Sequence, residues 1–144
     1  MKAFFDTNVL IAACIEGHAH HERATPLLES VFQGKTEGVV SAHSLLEAHA
    51  VLTKLPRAPR ILPQQAASLI EENIVKPFTV IALTAKEYID LVMKLGREGI
   101  WGGQAYDALH LRCAEKAGVD RIYTFNARHF EQLAPQFSGK CVVP

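Results

Sequence analysis

The chain has no surplus of either charge, fifteen Lys and Arg standing against fifteen Asp and Glu. A broad basic surface for coating nucleic acid is thereby excluded, whereas a local basic patch beside an acidic pocket is not. Cysteine is scarce. Cys14, Cys113 and Cys141 are odd in number, far apart and set among apolar neighbours. This pattern predicts small buried thiols in a reducing cytosol rather than a disulfide framework, with an intermolecular disulfide as the alternative. Long apolar runs are missing too. Asp6 interrupts the first one, and Val9 to Ile15 is too short for a signal core or a membrane span. A cytoplasmic chain with no membrane partner is expected. There is no internal repeat and no low-complexity tract. Nor does a Gly-rich phosphate loop follow the first apolar run, where Asp6 places negative charge instead; this argues against a nucleotide-binding domain.

What is present suits an ordinary folded chain. Its 144 residues are 49% hydrophobic and 21% charged, which predicts one domain over residues 1–144 and excludes general disorder. A chain of this length buries about two-thirds of its unfolded surface, so it folds without disulfides or a structural metal. Short β-branched or aromatic runs read as strands at Ala3 to Phe5, Val39-Val40, Phe78 to Leu83 and Arg121 to Phe125, with Lys140 to Val143 as a further edge strand. Helical patterns lie between them, from Val9 to Ile15, Ala19 to Gln33, a Ser41-capped stretch to Leu55, Pro63 to Val75, a Thr84-capped stretch to Arg97, Gln104 to Ala117, and Ala127 to Leu133. Gly118 is the natural stop of the sixth helix. Alternating strands and helices predict an α/β fold in three layers, α/β/α, around a central parallel sheet of four or five strands. Ligands of such sheets bind beyond the C-terminal strand ends, so the polar residues just after each strand matter most.

Three carboxylates stand out in that frame. Asp6 follows the first strand, where it either caps a helix or faces the sheet edge. Glu47 lies mid-helix opposite the stripe of Leu45, Ala48, Leu52 and Leu55, on a face only half polar. Asp107 comes early in its helix, where the macrodipole already favours an anion. Each has an ordinary structural reading, but together they sit where a parallel sheet gathers its functional groups. Such a cluster repels itself unless a cation joins it, and hard oxygen ligands select Mg²⁺ or Mn²⁺. Water activation and a clamp on phosphoryl oxygen, hence phosphodiester hydrolysis, suit that chemistry.

The motifs Phe4-Phe5-Asp6-Thr7-Asn8, Ser44-Leu45-Leu46-Glu47-Ala48, Tyr106-Asp107-Ala108-Leu109-His110 and Tyr123-Thr124-Phe125-Asn126 resemble, in order and spacing, the four motifs of PIN-domain nucleases. The resemblance covers nearly the whole chain. Small chains of this kind are similar to the toxin half of bacterial VapBC toxin–antitoxin pairs. That resemblance implies a PIN-like fold and an endoribonuclease using Mg²⁺ or Mn²⁺. It also implies RNA as substrate, a homodimer, and a cognate antitoxin protein as partner. It assigns catalysis and metal binding to Asp6, Glu47 and Asp107, with Asn126 as a fourth metal ligand. Thr7, Asn8 and Thr124 become the hydrogen-bonders that hold these groups. Many family members have Asp where this chain has Asn126, so three negative charges stand where four are common. Any second cation is therefore expected to bind weakly. The alternative is a PIN-like module that binds RNA or protein with little or no catalysis.

Phosphates also need cations. Lys54, Arg57 and Arg60 form the densest basic patch, near the end of the Glu47 helix, and His43 shares the Glu47 face, so these four are the first candidate substrate contacts, with Arg97, Arg112 and Arg128 as further ones. His18, His20 and His21 read as a solvated turn rather than a metal cluster, because their spacing points the rings apart. His110, three residues after Asp107, reads as core or rim packing.

Overall fold

The computed structural model describes residues 1–144. Five parallel strands form one sheet in the order β3-β2-β1-β4-β5: β1 (Lys2–Phe5), β2 (Glu37–Ser41), β3 (Thr79–Ile81), β4 (Arg121–Tyr123) and β5 (Cys141–Val142). Seven helices connect them: α1 (Thr7–Cys14), α2 (His21–Phe32), α3 (Ala42–Lys54), α4 (Pro63–Ile70), α5 (Ala85–Glu98), α6 (Gln104–Ala117) and α7 (Ala127–Leu133). The chain moves from β1 outward through β2 to β3, then crosses back to pair β4 on the other side of β1. That reversal puts the crevice of the sheet at the C-terminal end of β1, where Asp6 begins.

Alternation along the strands feeds two cores. Ala3 and Phe5 of β1, Val40 of β2 and Tyr123 of β4 join the buried faces of α1 to α4. Phe4, Val39 and Ile122 point the other way, onto Leu109, Leu111, Cys113 and Ala114 of α6 and Phe130 of α7. Both sheet faces are covered, as the continuous apolar strands predict.

The expected elements are all present; β1 and β2 run longer than expected, while β3, β4 and β5 are shorter. Phe78 lies outside β3: its backbone N–H still bonds back to Ile74 O at 3.0 Å, while its ring packs edge-on against Phe5, with centroids 5.0 Å apart. Thr124 and Phe125 fall beyond β4. The helix expected to run unbroken from Pro63 to Val75 widens after Ile70 into a π turn over Glu71–Val75, keeping both Ile70 and Ile74 buried. Gly118 ends α6 with a left-handed φ of 64°, which a side chain rarely adopts. Helix α5 buries none of its residues and leaves Ile89, Val92 and Met93 exposed.

One glycine is fixed by packing. A Cβ on Gly38 in β2 would stand 2.5 Å from the Phe78 ring and 2.9 Å from Val31. Phe78 is itself wedged against Phe5, so it has little room to yield. Gly38→Ala is expected to cost about 1–3 kcal/mol, the usual cost of overpacking a core. Urea denaturation measures this, and a wild-type midpoint would refute it.

Candidate active site

Asp6 sits at the N-terminal end of α1, in the position a helix-capping residue takes, yet its carboxylate makes no capping bond. Instead, Oδ2 accepts a 2.7 Å hydrogen bond from the Thr124 hydroxyl, which stands at the end of the neighbouring strand. Both side chains are buried. The Asp6 backbone N–H continues the sheet ladder to Tyr123 O at 2.9 Å, so the main chain aims the side chain across the sheet edge. Helix capping is therefore not what this aspartate does.

Glu47 reaches the same edge from α3. Ser41 caps that helix by accepting from Ser44 N, and this fixes the start of α3 over the end of β2. The Thr7 hydroxyl lies 3.2 Å from Glu47 Oε1 and 3.1 Å from Ser44 Oγ, tying α1 to α3. His110 is the closest partner of the glutamate, with Nε2 2.5 Å from Oε1 and Nδ1 2.8 Å from Ser41 Oγ. His43 Nε2 stands 3.7 Å away on the open side. Asp107, in the first turn of α6, pairs with His129 of α7 at 3.2 Å.

The electrostatics tie the three carboxylates together. Burial pushes the Asp6 carboxyl up, and Asp107 adds repulsion that Thr124 and His110 offset only in part. Burial likewise raises Asp107, with repulsion from Glu47 working against the attraction of His129 and His110. Burial also acts upward on Glu47, but the hydrogen bond and charge of His110, helped by His43 and Thr7, bring it below the ordinary value. Two groups thus resist ionisation in a place where their charges meet.

Asn8 adds a further sign: its side-chain oxygen is buried and has no hydrogen-bond partner. Three hard carboxylates, two of them destabilised as anions, and an unpartnered amide oxygen make a donor set that fits a divalent cation and its waters. As they stand, no three of the acidic, histidine or cysteine side chains are grouped closely enough to hold an ion. Glu47 and Asp107 turn toward their histidines instead.

The other expected residues divide. His43 borders Glu47, and Asn126, which is exposed, starts α7, its backbone N–H donating to Thr124 Oγ1 at 3.0 Å. Lys54, Arg57 and Arg60 do not join the carboxylates. Arg57 and Arg60 line a separate groove with Cys14, Ile15, Gly17 and His18, past the last turn of α3. Lys54 stands two helical turns, about 10 Å, along α3 from Glu47. The three N-terminal histidines form no metal cluster, but they are half-buried rather than solvated and do not all point apart: the His18 and His20 rings stand 5.8 Å apart, His18 accepts from His20 N, His20 stacks on Phe125, and His21 meets Ala12 O. His110 is in the core rather than at the rim, and it does more than pack: it is the buried link between Ser41 and Glu47. Its place three residues after Asp107 on one helix was the available signal. His129 had none in the sequence.

Comparison with known proteins places this geometry. The PIN domain family matches residues 3–135. Ribonuclease VapC40 of Mycobacterium tuberculosis is 33% identical over 127 residues, spanning 88% of this chain and 87% of its own. Two crystal structures share the fold. VapC20 of Mycobacterium tuberculosis, a sarcin-ricin loop cleaving toxin, superposes with a TM-score of 0.70 at 20% identity, over 92% of this chain and 95% of its own. VapBC2 from Rickettsia felis, bound to a DNA fragment from its promoter, gives 0.62 at 18% identity, over 100% and 98%.

Proposed function

The chain belongs to the PIN-domain family, and on that premise we propose that it is a metal-dependent endoribonuclease acting as the toxin of a toxin–antitoxin pair. The observation that carries the reading is that Asp6 just after β1, Glu47 on α3 and Asp107 on α6 lie along one sheet edge, near enough for Asp107 to feel the like charges of the other two. In this reading the whole of residues 1–144 is one domain. Asp6, Glu47 and Asp107 hold Mg²⁺ or Mn²⁺, with Asn126 as a neutral fourth ligand. The bound cation supplies an activated water and a clamp on the phosphoryl oxygen. Thr124 orients Asp6, Thr7 orients Glu47, and Asn8 offers its free oxygen to a bound water. His110 and His129 keep Glu47 and Asp107 from repelling one another until the cation takes over that task.

His43 faces the substrate beside Glu47. Lys54, Arg57 and Arg60 meet the RNA strand farther from the scissile phosphate, since they lie toward and beyond the far end of α3. A cognate antitoxin is the partner that the VapBC likeness supports, and the exposed Ile89, Val92 and Met93 of α5 are read as the surface that a second copy of this chain covers. No helix is long and apolar enough to cross a membrane, and we place the protein in the cytoplasm.

The engagement of Glu47 and Asp107 by histidines also favours a second reading, a module that binds RNA without cutting it. Cleavage of labelled RNAs with Mn²⁺, Mg²⁺ or EDTA, beside an identically purified Asp107→Asn control, separates the two. Metal-dependent cutting that vanishes in the control is the expected result. RNA binding with no cutting in any metal would establish the module instead.

A further inference from the structure

The site has a wall that the carboxylates do not use. Tyr106, one residue before Asp107, lays its ring flat on His43, with centroids 4.9 Å apart and planes within 5°. His43 in turn stands beside the site, 3.7 Å from Glu47 Oε1 and 5.8 Å between ring centroids from His110. The tyrosine is thus tied to two of the three carboxylates, by the backbone to Asp107 and through His43 to Glu47. Yet Tyr106 is 54% exposed, although it is a large aromatic in the first turn of α6. One face of its ring is held and much of the rest is open.

A fixed aromatic plane at the rim of a phosphodiester site has one evident use. Every nucleobase has a π face, and an unstacked base gains by lying on a preoriented ring. A base inside a duplex is already stacked on its neighbours and cannot reach it. The second aromatic stack near this edge, His20 on Phe125, already has Arg23 5.9 Å from the ring and is half-buried, so it offers less.

We propose that Tyr106, held flat by His43, is the surface on which the base next to the scissile phosphate stacks, making it a specificity-determining residue. The proposal rests on the ribonuclease reading above. It predicts that the enzyme requires an unstacked base at one position beside the cut, whatever else it recognises.

The test uses the full chain with Mn²⁺ and an RNA loop whose cut position has been mapped with the wild type. Kinetics are then compared for Tyr106→Phe, Tyr106→Leu and Tyr106→Ala. The same RNA is also prepared with an abasic ribose on either side of the cut. Phe should preserve KM, while Ala and Leu should raise it about ten- to a hundredfold, with a much smaller change in kcat. One of the abasic positions should cost the wild type a similar factor and cost Tyr106→Ala almost nothing more. Circular dichroism checks folding, which an exposed helical alanine should leave intact. A wild-type KM in Tyr106→Ala, or abasic and alanine losses that multiply, would overturn the proposal and leave the ribonuclease standing. No cleavage of any RNA by wild type would remove both.

Discussion

Asp6→Asn is expected to lower RNA cleavage by about 10²–10⁴-fold while making the metal-free protein more stable at neutral pH. On the proposed reading the loss follows from removing one of three anionic oxygen donors, since Asn126 would supply no charge to replace it. The gain follows from burial. Asp6 is 5% exposed, and its carboxyl is raised by desolvation and by Asp107. A carboxyl raised in the folded state weighs against folding above that raised value, and the penalty disappears as pH falls below the ordinary range. An amide has no charge to bury, and its carbonyl still accepts from Thr124. The stability difference should therefore be widest near neutral pH, about 0.5–2 kcal/mol, and close in acid. Thermal denaturation from pH 3 to 8 tests the sign. A variant less stable than wild type at neutral pH would contradict this account of the site.

His110→Ala has the opposite signature, a stability loss of about 2–4 kcal/mol together with impaired cleavage. The ring is 1% exposed, leans on Phe4 with centroids 5.9 Å apart, and joins Ser41 to Glu47. Its removal opens a cavity beneath the sheet edge and frees the glutamate. The glutamate also sets a pH dependence. Burial acts to raise Glu47, and His110 is the main reason that its carboxyl nevertheless lies below the ordinary value. A lowered carboxyl adds stability above the ordinary range and loses it as pH falls through the lowered value. Without His110 that contribution shrinks, so the gap to wild type should be largest at neutral pH and narrow in acid. Urea denaturation at neutral and acid pH measures both, and a gap that widens in acid would reverse the assignment.

The sequence carried different parts of this site unequally. Asp6 was legible because it stops an apolar strand run, and parallel sheets keep their chemistry at that point. Glu47 and Asp107 were legible as a set, since each alone has an ordinary helical explanation. Helix ends were clear at Ser41, Thr84 and Gly118, where capping and left-handed geometry select particular residues. Of the histidine partners, His43 was legible from the helix face it shares with Glu47, whereas the reach of His110 to Glu47 and of His129 to Asp107 was not. Which ring reaches which carboxylate depends on how α6 and α7 lie against α3, and helical periodicity carries no interhelical distance. How far the basic patch stands from the carboxylates was hidden for the same reason: Lys54 follows Glu47 closely in the chain, but a helix turns seven residues into about 10 Å. The π turn after Ile70 also left no trace, because the apolar positions on either side keep a helical spacing.

The order of the strands also fixes when the candidate site can form during synthesis. The first strand is the centre of the sheet and receives one neighbour early and the other late. Asp6 meets Thr124 across 118 residues of chain, Glu47 meets His110 across 63, and Thr7 meets Glu47 across 40. While the chain is being made, its first strand can pair with β2 but must wait for β4, and the buried aspartate has no hydroxyl to receive it. Contacts this distant in sequence close last and slowly. A truncated or half-translated product holds two of the three carboxylates at most in their places. The candidate site is therefore assembled only after nearly all of the chain has left the ribosome, and a stalled fragment lacks it.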